Sequence, residues 1–145
     1  MVSCRFDQTV PYPRGTVFAW HERPGALRRL TPPGTASVVQ TPDNGLKDGS
    51  RSVLSLTHVP PPADKFVAEH FDYRPGESFS DRQVRGPFGA WMHRHEFTDL
   101  SGATRVRDDV TYELPAARIS GALTGTVGEL ISRMFAYRHH QLLAD

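Results

Sequence analysis

The segment AWMHRHEFTDLSGATRVRDDVTYEL, Ala90 to Leu114, decides the fold of this chain. It reads as two strands joined at Ser101-Gly102, because apolar and polar side chains alternate with period two on both sides of that dipeptide. In the first strand Trp91, His93, His95 and Phe97 share one face, and Met92, Arg94, Glu96 and Thr98 the other. In the second, Thr104, Val106, Asp108, Val110 and Tyr112 alternate with Arg105, Arg107, Asp109, Thr111 and Glu113. The latter set is nearly all charged and faces water, so Asp108 and both histidines are predicted to point inward with the aromatics. A two-residue turn sets Glu96 opposite Arg107, Arg94 opposite Asp109 and His95 opposite Asp108. A register two residues away would set Arg94 against Arg107 and put His93 opposite Asp108 instead. In either register an Asp–His pair faces the interior.

Working outward, the same alternation recurs in TASVVQ (35–40), RSVLSLTHV (51–59), DKFVAEHFDY (64–73) and ESFSDRQV (77–84), which makes six strand segments in succession. The turn sequences PDNG, PPPAD, RPG, RGPFG and LSG separate them, and connections this short require antiparallel pairing. VSCRFDQTV (2–10) supplies a further strand ahead of them. Two short helices come next. PRGTVFAWHERP (13–24) carries Val17, Phe18 and His21 on one face and ends at Pro24, and GALRRL (25–30) stops at TPPG. A closing helix is expected from about Val127 to Ala144, with Thr126 and Glu129 as a T-x-x-E capping box. Val127, Leu130, Ile131, Met134, Phe135 and Leu142 form its apolar stripe. The order β-α-α-β6-α predicts one α+β domain over residues 1–145, a curved antiparallel sheet wrapped around a long C-terminal helix. One helix cannot fill the whole inner face of a curved sheet, so a small-molecule cavity is expected between them.

Composition narrows the function classes. The formal net charge of +1 gives no electrostatic case for nucleic acid or an anionic membrane. The single cysteine, Cys4, excludes an internal disulfide and has no base beside it to make it a nucleophile. No apolar run approaches the ~18 residues of a membrane span, and the first residues lack a signal-like apolar core. A cytoplasmic protein is expected.

The stretches VFAWHERPGALRRLTPP (17–33), GPFGAWMHRHEF (86–97), TRVRDDVTYELP (104–115) and MFAYRHHQLLAD (134–145) carry a resemblance covering essentially the whole chain. It is similar to the START-like (SRPBCC) superfamily of polyketide cyclases and dehydrases, lipid-transfer domains and birch-pollen-allergen relatives. Within it, the chain looks closest to the ligand-binding-like domain found joined to NAD-dependent sugar-nucleotide epimerase-like proteins and also as a free-standing protein. The resemblance implies the helix-grip fold and a pocket for a polyketide, lipid-like or aromatic molecule, with no cofactor. No G-x-G-x-x-G is present, so an epimerase partner would be a separate enzyme. A homodimer is the other assembly considered.

For His93, His95 and Asp108 three readings compete. They form a satisfied buried network that fixes register, or they orient a ligand and exchange protons with it, or they bind metal. The metal reading borrows His70 as third ligand, although FVAEHFDY does not settle which way His70 faces; no metal is expected. Ligand contacts are expected from Trp91, Phe97, Val106, Val110 and Tyr112, from Asp81 and Gln83 on the face of Phe79, and from His70. Met134 and Phe135 on the last helix and His21 on the first complete that set. Arg138, His139 and His140 are read as cations suited to a helix C-terminus. Two functions follow: a binding module (carrier, sensor or accessory), or a cofactor-free cyclase, dehydratase or isomerase using the His/Asp pair.

Overall fold

The computed structural model describes residues 1–57, 59–115 and 121–144, with side chains of the last helix described from Val127 onward. The elements are β1 (Val2–Val10), α1 (Arg14–Glu22), α2 (Ala26–Leu30), β2 (Ala36–Gln40), β3 (Arg51–Leu56), β4 (Lys65–Arg74), β5 (Ser78–Arg85), β6 (Ala90–Asp99), β7 (Thr104–Glu113) and α3 (Gly121–Ala144). All seven strands form one antiparallel sheet in the order β1-β7-β6-β5-β4-β3-β2. The first strand thus pairs with the last, and the meander runs back from there. The result is the helix-grip α+β fold, an open curved sheet with α3 against its inner face.

Local chemistry accounts for most boundaries. At the β6–β7 turn Ser101 and Gly102 both take positive φ, 61° and 97°, and Leu100 N–H donates to the Ala103 carbonyl at 2.8 Å. A two-residue turn of this kind matches the twist of the flanking strands and fixes their register. His95 therefore lies opposite Asp108, Arg94 opposite Asp109 and Glu96 opposite Arg107. Arg23 is extended at the end of α1, as the proline after it requires.

One boundary differs from expectation. α3 begins at Gly121 and not near Val127, so Thr126 lies inside the helix and the T-x-x-E pattern is not its cap. Residues 121–126 continue the helix upstream of the local motif.

Two apolar clusters fill the space between sheet and helices. Val10, Val17, Phe18, Trp20, Leu30, Phe79, Phe97, Val106 and Leu142 belong to one. Trp91, Val110, Tyr112, Ile131 and Phe135 make the other. Along β6 the inward residues run Trp91, His93, His95, Phe97, so the two histidines lie between the clusters.

Candidate functional site

Pairing across the sheet assembles the polar layer. Asp81 on β5 faces His70 on one neighbouring strand and His93 on the other, while His95 has Phe79 and Asp108 as its neighbours. All five ionisable groups are buried. His70, whose face the sequence left open, points inward with Ala68.

The closest contact is diagonal. Asp108 Oδ1 lies 2.7 Å from His93 Nε2 and 3.2 Å from His95 Nδ1. Asp81 Oδ2 lies 3.1 Å from His95 Nε2 and 3.8 Å from His93 Nδ1. An ionised carboxylate only accepts, so His93 Nε2 and His95 Nε2 carry the protons that bond to Asp108 and Asp81. The two imidazoles stack with centroids 3.7 Å apart, and Phe79 covers the outer face of His95 at 4.0 Å.

The network pulls the two carboxylates down and shifts the two stacked imidazoles in opposite directions. Burial would raise both carboxylates, but the histidines around them win. His95, His93 and His70 hold Asp81 at about 2, and the rings of His139, His93 and His95 around Asp108 hold it well below the usual carboxylate range. His95 sits above its ordinary value, because Asp108 and Asp81 outweigh its own burial. His93 sits below its ordinary value, pushed there by burial and the adjacent charge of His95. The more basic His95 and the less basic His93 therefore lie face to face between two carboxylates.

Asp81, His93 and His95 each offer a ligand atom, all within 4.8 Å of one another, so the third donor of any metal set is Asp81 and not His70. An ion lies near the plane of each imidazole that binds it. These rings stack instead of converging, and a shared ion would require one to turn.

The helices contribute three residues that matter. His21 on α1 donates Nδ1–H to the Val17 carbonyl at 2.9 Å, and burial lowers its pKa to about 4. From α3, His139 brings Nε2 to 3.6 Å from Asp108 Oδ2, and Arg138 lays its guanidinium 5.4 Å from the centre of the Phe135 ring. The sequence reading makes Arg138 and His139 helix-end cations, and the structure corrects it. They follow Phe135 by three and four residues, a spacing that places them on its buried face.

Two openings among the described residues lie between the sheet and the helices, and neither reaches ligand size. Among the described residues the larger opening, about 90 Å³, lies between β1, α1 and the end of α3, against Val10, Val17, Trp20 and Leu142. A second, about 20 Å³, is lined by His21, His95, Val106, Asp108, Arg138 and Leu142 among others. Ligand pockets usually run to ~300–1,000 Å³, and the inner one holds about one water. Side chains account for the difference. Phe135 stacks on Phe6 at 4.5 Å, and Trp91, Phe88 and Tyr112 pack ring against ring.

Of the residues singled out in the sequence, His21, His95, Val106 and Asp108 line the inner cavity. Asp81 and His93 stand behind His95 in the network, and Phe97, Val110, Tyr112, Trp91 and Phe135 are core. Met134 packs against the second apolar cluster. Gln83 is a tie, bonding both the carbonyl and the N–H of Phe88 across the β5–β6 loop.

A curved seven-stranded sheet gripping one long helix, with an ionisable layer on its inner face, defines a START-like domain. The profile described as "Polyketide cyclase / dehydrase and lipid transport" matches residues 10–139, and the chain belongs to that family. No curated protein matches the sequence. Among solved structures, the chain is similar to a nucleoside-diphosphate sugar epimerase from Corynebacterium glutamicum. The identity is 32%, with TM-score 0.73 over 97% of this chain and 28% of that one, so it spans little more than a quarter of that protein. A Thermus thermophilus protein matches at 18% identity and TM-score 0.72, over 99% of this chain and 98% of its own. Norcoclaurine synthase from Thalictrum flavum matches at 11% and TM-score 0.69, over 99% and 84%. At those identities the last two speak for the fold alone.

Proposed function

We propose that this domain binds a small, largely hydrophobic molecule between the sheet and α3, as a carrier, sensor or accessory module. The observation that carries this is the family match over residues 10–139, and the inner wall agrees with it in kind, since apolar Leu30, Val106 and Leu142 meet ionisable His21, His95, Asp108 and Arg138 there. Such a wall suits a molecule that is mostly apolar with a few polar groups to orient. The likeness to part of an epimerase chain supports an accessory role beside an enzyme acting on nucleotide sugars. Native mass spectrometry of freshly purified protein tests the reading: a co-purified small molecule is expected. Its absence, together with no saturable binding across a panel of hydrophobic fluorophores and aromatic polyketides, would reject it.

One observation favours a second reading, a cofactor-free cyclase, dehydratase or isomerase. His93 is shifted below and His95 above the ordinary histidine value at stacking distance, a pairing suited to taking a proton from an enolisable carbon and returning it elsewhere. Under this reading His93→Gln or His95→Gln keeps ligand binding while turnover falls roughly 10²–10⁴-fold. Full activity in both variants would leave the network a structural one.

A further inference from the structure

The strand VSCRFDQTV, Val2 to Val10, has a chemical symmetry about its centre. Counting outward from Phe6, Arg5 matches Asp7, Cys4 matches Gln8, Ser3 matches Thr9 and Val2 matches Val10. The charges at the first step are opposite. Such a strand is complementary to a second copy of itself laid antiparallel across a two-fold axis.

The place of this strand in the sheet leaves one side open to that copy. β1 is an edge strand, paired with β7 in unbroken register over nine residues. The β6–β7 turn decides which of its backbone groups are spare. Leu100 N–H donates to the Ala103 carbonyl, so the hydrogen-bonded pairs of β6 and β7 fall on the odd-numbered residues of β7. The even-numbered residues of β7 then bond to β1, through Val2, Cys4, Phe6, Gln8 and Val10. Ser3, Arg5, Asp7 and Thr9 therefore turn their N–H and C=O groups away from the sheet. No backbone bond among the described residues reaches them from that side. Natural edge strands are commonly blunted by proline, lysine, a bulge or short length. β2, the opposite edge, is five residues long with a bulge between Val38 and Gln40, whereas β1 carries none of these devices.

Charge selects the register. The spare groups belong to odd-numbered residues, so two copies must pair odd with odd. Centred on Arg5 or on Asp7, the pairing sets like charges face to face at the axis. Registers further out leave both charges without an opposite and shorten the ladder. Centred on Phe6, it sets Arg5 opposite the partner's Asp7 and Ser3 opposite the partner's Thr9, each twice by symmetry. Arg5 already holds Asp109 at 2.7 Å and Arg107 holds Asp7 at 2.8 Å, yet the Arg5 and Asp7 side chains remain 58% and 44% exposed. The added strand extends these pairs into a row of alternating sign: Arg107, Asp7, the partner's Arg5, the partner's Asp109. We propose that two copies of this chain associate through β1, antiparallel about Phe6, joining two seven-stranded sheets into one.

Sedimentation equilibrium of the full chain reads the association. A dimer is expected with Kd on the order of 1–100 µM, as suits a small polar interface. Arg5→Asp and Asp7→Arg each set like charges across the axis, and each alone should weaken the dimer about tenfold or more. Mixed one to one, the two variants regain opposite charges and should recover most of that loss, which also shows that both are folded. Disulfide trapping gives a second reading that leaves the charges in place. In a Cys4→Ser background, Ser3→Cys mixed with Thr9→Cys should cross-link, because directly opposite Cα atoms lie about 5.5 Å apart. Neither variant should cross-link by itself. A native chain that stays monomeric up to about 1 mM overturns the proposal. So does a dimer that neither charge variant weakens, a mixture no tighter than its components, or cross-linking as fast in one variant alone as in the mixture.

Discussion

Asp108 shows at the scale of one residue how a costly buried charge is kept. Its carboxylate has His93 at 2.7 Å, His95 at 3.2 Å and His139 at 3.6 Å, so three imidazoles surround it. Asp108→Asn keeps the shape but removes the charge that orients two imidazoles, and should destabilise the fold by about 1–3 kcal/mol in chemical denaturation. No loss would mean the network contributes nothing to folding. Acid should act through the histidines. His21 has a folded pKa of about 4 against an ordinary 6.5, so between those values the unfolded chain binds the extra proton. Stability then falls as the pH drops through that window, by on the order of 2–3 kcal/mol from this residue. His70 and His93, also held low by burial, act in the same sense. His95 acts oppositely: its contribution is complete below 6.5 and is lost as the pH rises through its raised value. Denaturation at about pH 7 and about pH 4.5 checks the balance. In His21→Phe the difference between the two should shrink by roughly 2 kcal/mol, and an unchanged difference would assign the acid sensitivity elsewhere.

Among the elements, the β6–β7 hairpin sets the site, because its turn decides which imidazole meets which carboxylate. Ser101 holds φ 61° and Gly102 φ 97°. A Cβ on Gly102 would meet nothing within 4 Å, so Gly102→Ala isolates the backbone cost, expected at about 1–2 kcal/mol. Ser101→Asn places a residue tolerant of that conformation beside Gly102 and should stabilise by about 0.5 kcal/mol. Matching losses in the two variants would show that the turn does not hold the register. The strands and this register are legible in the sequence because period-two alternation and the charge pairing on the outer face agree. α3 is less so. The capping motif that marks a helix start in the sequence is one that the helix runs through. Arg138 and His139 look like helix-end cations by position, yet their spacing from Phe135 places them toward Asp108.

For the whole molecule the decisive feature is that a polar layer divides the core into two apolar clusters. The two imidazoles stack and bond to carboxylates through their ring nitrogens, so a metal ion would have to displace those bonds. Elemental analysis of dialysed protein should therefore find well under about one equivalent of any transition metal. Zinc or iron near one equivalent, lost in His93→Ala, would overturn that. The sequence by itself determined the element order, the antiparallel pairing, the inward face of most strands and the presence of an Asp–His layer. These follow from local periodicity and turn chemistry, which neighbouring residues settle among themselves. Tertiary structure alone decided that Asp81 joins from β5, that His70 points inward, and that Arg138 and His139 close the layer from above. It alone sets the size of the openings beside Trp20 and His95. Cavity volume is the small difference between two large quantities, the room a curved sheet encloses and the side chains that fill it, and no local pattern encodes that difference.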